Sequence, residues 1–166
     1  MSWSKIVTIT GAVAIVFSLT SIDNVVAGEK YKGRTVKYCT KWEQLDVGDI
    51  EGHFIGVYED GAILNNMEGK PFFDGWVERE CGIVDVDPKT GAGVVQCYGE
   101  ITEQKGDKIF WSGEGELKEG LWEVDWTLIK GTGGFEGIQG KGHFTAHTPT
   151  PTQWYSDWEM EVELPK

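Results

Sequence analysis

Fifteen residues, Lys130 to Phe144, read KGTGGFEGIQGKGHF and hold six glycines. Glycine at that density first suggests a loop that cradles phosphate. A dinucleotide loop needs G-x-G-x-x-G between a strand and a helix; Gly131-Thr-Gly133 begins that pattern, but Glu136 stands at its third glycine. A P-loop needs Gly-Lys-Ser/Thr, and Gly140-Lys141 is followed by Gly142. The next residues, Gly142 to His147, alternate as a strand does, so no helix N-terminus is available to hold phosphate. The six glycines, Gly131, Gly133, Gly134, Gly137, Gly140 and Gly142, therefore read as a structural corner between two strands. Phe135 and Ile138 are its apolar pegs into one end of a core.

Other residues could carry chemistry. His143 and His147 lie four apart, which on a strand shares a face but separates them by about 13 Å, too far for one ion. With Phe144 and Ala146 inward, both histidines face solvent, and no metal site is expected. Asp85-Val-Asp87-Pro opens like a calcium loop, but Lys89 and the misplaced Gly91 break that pattern, so it reads as a hairpin turn. No Gly-x-Ser-x-Gly is present. The many carboxylates alternate outward with a period of two.

Cys39, Cys81 and Cys97 are odd in number, so one is left over or pairs between chains, and three single pairings are open. Spacing favours one of them. In a hairpin turning on Lys89, Cys81 faces Cys97 at the roughly 4.5 Å Cβ separation of a non-hydrogen-bonded pair, near what a disulfide needs. Cys39 is then buried or free; the alternative to any bridge is three reduced, buried thiols. The same register turns Val77, Cys81, Ile83, Val95, Cys97 and Ile101 inward, and Glu78, Glu80, Gln96, Tyr98 and Glu100 outward. It places Arg79 inward, opposite Gly99. A buried guanidinium needs acceptors. Either it holds a ligand carboxylate or phenolate inside the fold, or it pairs with an interior acid such as Asp85 or escapes at a bulge. Asp85 is also the one acid this register offers for acid–base work.

These residues need strands to position them. From Trp154, the set Trp154, Ser156, Trp158, Met160, Val162 and Leu164 alternates with Tyr155, Asp157, Glu159, Glu161 and Glu163; Trp122, Val124, Trp126 and Leu128 alternate with Glu123, Asp125 and Thr127. That period marks half-buried strands of an antiparallel sheet with one wet face. Glycine is 23 of 166 residues, and turn signals recur about every ten, which reads as an all-β barrel or sandwich. Strands are expected near 34–41, 52–58, 62–66, 74–87, 92–104, 108–117, 121–130, 140–147 and 153–164, some of them halves of one bent strand. Trp111, Trp126 and Trp158 fill the core or wall a pocket for an aromatic or lipid-like ligand. A barrel of about eight strands either fills with side chains or holds one small ligand.

Residues 1–27 read as a signal peptide: Lys5, an apolar run from Ile6 to Leu19, then small residues up to Ala27. The run is short of the roughly 20 residues of a spanning helix, so no membrane span remains after cleavage. Residues 28–166 then form a single exported domain, periplasmic or secreted, where cysteines oxidise. Its net charge of -12 excludes nucleic acid as a partner and favours solubility.

The segment Trp126 to Gly142, with Gly131-Thr-Gly-Gly-Phe135 and Gly140-Lys-Gly142, resembles the GGTGxFxxxxGxG signature of the allene oxide cyclase and dirigent barrels. It is most similar to small exported bacterial members, for which no activity is established. The order Gly75-Trp76, Cys81, Thr90-Gly91, Cys97, Gly106-Asp107, Trp111, then the corner supports this more loosely. The resemblance implies an all-β, antiparallel closed barrel of about eight strands with an apolar cavity, little or no helix, and no cofactor. No catalytic residue of the family matches a position here. The function implied is binding of a small apolar or aromatic molecule, or a structural role. The alternatives are an isomerase or cyclase acting on a lipid-like substrate inside the barrel, and a lipocalin- or avidin-like carrier. By analogy, association into homo-oligomers is expected.

Overall fold

The computed structural model describes residues 28–150 and 152–165; the signal peptide read at 1–27 lies outside the described residues. Eight strands follow one another: β1 (Glu29–Asp46), β2 (Phe54–Asn66), β3 (Val77–Asp87), β4 (Ala92–Thr102), β5 (Lys108–Lys118), β6 (Leu121–Gly131), β7 (Gln139–Thr150) and β8 (Gln153–Glu163). Each pairs antiparallel with the next, and β8 pairs with β1, so the sheet closes into a barrel with no free edge. The stretches expected near 52–58 and 62–66 are one strand, β2, which continues through Asp60 and Gly61 without a turn.

The alternation read in β6 and β8 is the burial observed. Val124, Trp126 and Leu128, and Ser156, Trp158, Met160 and Val162, all point into the barrel; Leu164 lies past the end of β8 and is exposed. Phe144 and Ala146 are buried on β7, and His143 bonds Asp125 and Glu123 on the outer face. The glycine corner connects β6 to β7 through a short 3-10 turn, Gly133–Phe135, with Gly133 and Gly137 at positive φ. Asp107 anchors it by accepting from the Gly134 amide at 2.9 Å, and Ile138 is buried as its peg. Gly142 packs against the Trp126 indole, 2.6 Å from where a Cβ would stand, so only glycine lets that ring lie across β7.

The hairpin between β3 and β4 departs from the expected register. It is centred between Lys89 and Thr90, so Gly82 faces Cys97 and Cys81 faces Tyr98. The reason lies in the turn. Asp87 accepts from the Lys89 and Thr90 amides and from the Thr90 hydroxyl, and Gly91 at φ +70 belongs to the loop, not to β4. A one-residue slip carries every side chain of a strand to the other face. Cys81 is therefore exposed and Cys97 buried, and both are free thiols, as is Cys39. Arg79 points outward and pairs with Glu59 at 2.9 Å. Asp85 is on the outer side too, where it bonds His53 at 2.8 Å. Val77 and Ile83 are exposed, whereas Glu78 and Glu80 are buried. The inward reading of β4 stands, with Val95, Cys97 and Ile101 in the core.

The two ends of the barrel differ. One is closed by the loop between β2 and β3, which folds Phe73 and Trp76 over the core; Asn66 ties it down by donating to the Phe72 carbonyl at 2.9 Å. Phe73 has φ +63 and no solvent exposure, and its ring meets Trp76 and Trp158 edge-on at 5.1 and 5.9 Å. A non-glycine residue in that conformation is costly, and only extensive burial holds it there. The other end carries the β1–β2, β3–β4, β5–β6 and β7–β8 connections and is open.

Candidate functional site

A cavity of about 750 Å³ occupies the open end. Trp42, Phe54, Trp122 and Trp154 form most of its aromatic wall, and Val84, Val86 and Val95 add aliphatic surface. Its floor is charged. Lys37 enters from β1, Tyr58 from β2 and Glu80 from β3. Below this floor the barrel is packed: a separate void of only about 20 Å³ is lined by Trp111, Trp126, Trp158 and their neighbours.

The floor is built by strand alternation. Tyr58 and Asp60 share the inward face of β2; Glu78 and Glu80 share that of β3. The strand register sets Asp60 beside Glu80 and Tyr58 beside Gly82. A Cβ on Gly82 would lie 2.6 Å from the Tyr58 ring, so the glycine lets the phenol lie across β3. From there Tyr58 Oη donates to Glu80 Oε1 at 2.6 Å. Lys37 Nζ donates to Glu80 Oε2 and stands 4.0 Å from Glu78 Oε2. Glu78 Oε1 accepts from Trp111 Nε1 at 2.8 Å. Lys37 Nζ also lies 4.8 Å from the Phe144 ring centre and 5.9 Å from that of Trp111.

Burial sets the protonation of this cluster. It pushes the Asp60 carboxyl up to about 8, with the Glu80 carboxylate adding to the rise and Lys37 opposing it. It pushes Glu78 up to about 7 against the pull of Lys37. Burial also raises Tyr58 well above its ordinary value, with Glu80 adding to the rise. Lys37 is raised as well: burial works to lower it, and the Glu80 and Glu78 carboxylates outweigh that. Near neutral pH the cluster therefore holds one ammonium, protons on Asp60 and on part of Glu78, and a hydroxyl in contact with Glu80. Such a group can bind a polar moiety or move a proton. A buried ion cluster is a poor way to gain stability, since apolar residues of equal volume often do as well or better.

Of the residues read from sequence as ligand-binding, none lines this cavity, although Trp111 touches its floor through Glu78. Arg79 is on the outer surface, and Trp111, Trp126 and Trp158 form the packed layer beneath the cavity. Alternation alone does not find Lys37, Tyr58, Asp60, Glu78 or Glu80. The available signal was subtler: Gly56 and Gly82 share strand faces with Tyr58, Glu78 and Glu80, and in a barrel such glycines lie under aromatic rings. Among the described residues, no group of three or more His, Cys, Asp or Glu side chains is placed to hold a metal ion, and no helix is long and apolar enough to cross a membrane.

No protein-family model matches the chain, and no curated protein matches it in sequence. Among solved structures, it is similar to the pterocarpan synthase dirigent protein, with 11% identity and a TM-score of 0.51 over 83% of this chain and 90% of that one. It is also similar to pyocyanin demethylase, with 17% identity and a TM-score of 0.45 over 80% of this chain and 99% of that one. At these identities the likeness is one of fold. The resemblance read from the glycine corner holds at that level: this is an eight-stranded antiparallel barrel like that of a dirigent protein.

Proposed function

We propose that the protein binds a small apolar or aromatic molecule in the open end of the barrel, and that it works outside the cytoplasm after export by its first 27 residues. One observation carries the binding reading: a cavity of about 750 Å³ with aromatic walls and a few convergent polar groups at its floor. Small-molecule sites run from roughly 300 to 1,000 Å³ and combine apolar walls with a few fixed polar groups. Native mass spectrometry of the purified protein, before and after mild organic extraction, tests it. A co-purifying mass lost on extraction supports the reading. If no such mass appears, and a panel of naphthalene-based compounds gives no heat of binding, the reading fails.

A second reading, an isomerase or cyclase acting by proton transfer, is favoured by the Tyr58–Glu80 hydrogen bond at the cavity floor, with Asp60 and Glu78 holding protons near neutrality. The synthase named among the structural neighbours has a barrel of this kind. Exchange of the α-protons of 1-tetralone in deuterated buffer, followed by NMR, would test it. Faster exchange with the protein than with Glu80→Gln supports catalysis; equal rates count against it.

A further inference from the structure

We propose that the molecule this cavity takes is a cation: an amine, quaternary ammonium or protonated aromatic base carried on an apolar, ring-bearing body. The inference rests on the binding reading above and adds the sign of the ligand's charge.

The charge balance of the floor comes first. On the inward faces, β1 contributes Lys37, with Cys39 at the rim; β2 contributes Tyr58 and Asp60; β3 contributes Glu78 and Glu80; β4 contributes Cys97. The inward residues of β5 to β8 near the floor, among them Trp111, Val124, Phe144 and Ser156, carry no ionisable group. Three carboxyls thus share this interior with one ammonium: Glu80 lines the cavity, Glu78 lies in the packed layer beneath it, and Asp60 is buried beside Glu80. That ammonium is already committed, held by Glu80 and flanked by Glu78. An incoming anion that reached Lys37 would have to lie against the Glu80 carboxylate already paired with it, and the two would repel. An incoming cation meets no such repulsion from Glu80, which lines the cavity and whose carboxylate oxygens accept several hydrogen bonds.

Asp60 is the second observation. It is 1% exposed, faces the barrel interior beside Glu80, and neither carboxyl oxygen has a hydrogen-bond partner of ordinary geometry, Trp154 giving only a weak pull toward loss of its proton. A buried carboxyl without partners is costly. It stays neutral by keeping its proton, and a positive charge brought to the floor would let it ionise. The walls agree in sign. Aromatic faces attract cations and repel anions, and Lys37 itself already lies over the Phe144 and Trp111 rings.

Isothermal titration calorimetry with three probes on one ring body tests the inference: 1-naphthylmethyl-trimethylammonium, 1-naphthylmethanol and 1-naphthylacetate. Each is titrated into the purified protein at pH 6, 7 and 9. The cation is expected to bind about tenfold tighter than the alcohol, with the carboxylate weakest. Its advantage should grow with pH, as Glu78 and Asp60 release protons. The series is repeated in 1 M salt, where surface charges are screened within about 3 Å; a preference that survives belongs to the buried floor. Glu80→Gln should cut affinity for the cation about tenfold and leave the alcohol within about twofold. Should Glu80→Gln not fold, the pH and salt series on the unaltered protein decide. An alcohol or carboxylate that binds as tightly as the cation, or a preference lost in 1 M salt, overturns the inference and leaves the binding reading intact. If none of the three binds and no co-purifying mass is found, both fall.

Discussion

Tyr58 Oη donates to Glu80 Oε1 at 2.6 Å from a ring that lies across Gly82, its cross-strand partner. The bond and the glycine form one device, since any side chain at position 82 would push the phenol off the carboxylate. Tyr58→Phe removes a hydrogen bond to a charged acceptor and is expected to cost about 1.5–3 kcal/mol. Gly82→Ala should destabilise through the same bond, so a double-mutant cycle by urea denaturation should show the two changes to be clearly less than additive. Simple additivity would mean that the glycine does not support the hydroxyl.

Lys37 holds the charge balance of the floor. Lys37→Met leaves Glu80 and Glu78 buried without their cation, and the expected loss is about 3–5 kcal/mol. Lys37→Met combined with Glu80→Gln should recover much of that loss, because the double variant removes both members of the contact. Urea midpoints of the two variants check this; a double variant no more stable than Lys37→Met would refute the assignment.

Stability should fall as pH rises through neutrality. Asp60 and Glu78 keep their protons in the folded barrel up to about 8 and about 7, while in the unfolded chain both ionise near 4. Between those limits the native state binds more protons than the unfolded state, so each group lowers the unfolding free energy by up to about 1.4 kcal/mol per pH unit. Their stabilising effect is complete below about pH 4 and lost above their folded values. Asp60→Asn should flatten the slope between pH 5 and 8 in urea titrations. An unchanged slope would show that Asp60 is ionised in the folded barrel.

Phe73 closes the far end of the barrel. Phe73→Ala opens a void against Trp76 and Trp158 and should cost about 3–5 kcal/mol. Phe73→Gly relieves the positive φ while losing the same ring, so it should be no less stable than Phe73→Ala. Thermal unfolding of the two variants side by side gives the answer.

The register of the β3–β4 hairpin can be read chemically. Cys81 should react with a thiol reagent in the folded protein under reducing preparation, whereas Cys97 should react only on unfolding. Burial raises the Cys97 thiol, with the Glu80 carboxylate adding to the rise, which slows it further. A Cys81–Cys97 disulfide in a non-reducing peptide map would overturn the observed register, since these side chains lie on opposite faces of the sheet.

Much of the barrel is legible in the chain itself. β6 and β8 put apolar residues on one face and acids on the other, so their inward sets follow from period two alone. The glycine corner reads correctly too, because Phe135 and Ile138 are its only large apolar groups. The floor of the cavity is different. β3 carries Val77 and Ile83 on one face and Glu78, Glu80 and Val84 on the other, and β1 and β2 likewise set Val36 and Ile63 outside while Lys37 and Asp60 go in. Where both faces mix apolar and charged residues, alternation states that a strand exists but not which side is wet. That choice fell to the Asp87–Gly91 turn, whose extra loop residue moved Arg79 out and Glu80 in. Once β3 is turned that way, the pairing of β2 with β3 and of β1 with β2 brings Lys37, Tyr58 and Asp60 to the same interior. The strand periods and turn residues are local and belong to the sequence. The gathering of one lysine and three carboxyls joins residues up to 43 positions apart, and only the register in which β1, β2 and β3 pair decides it.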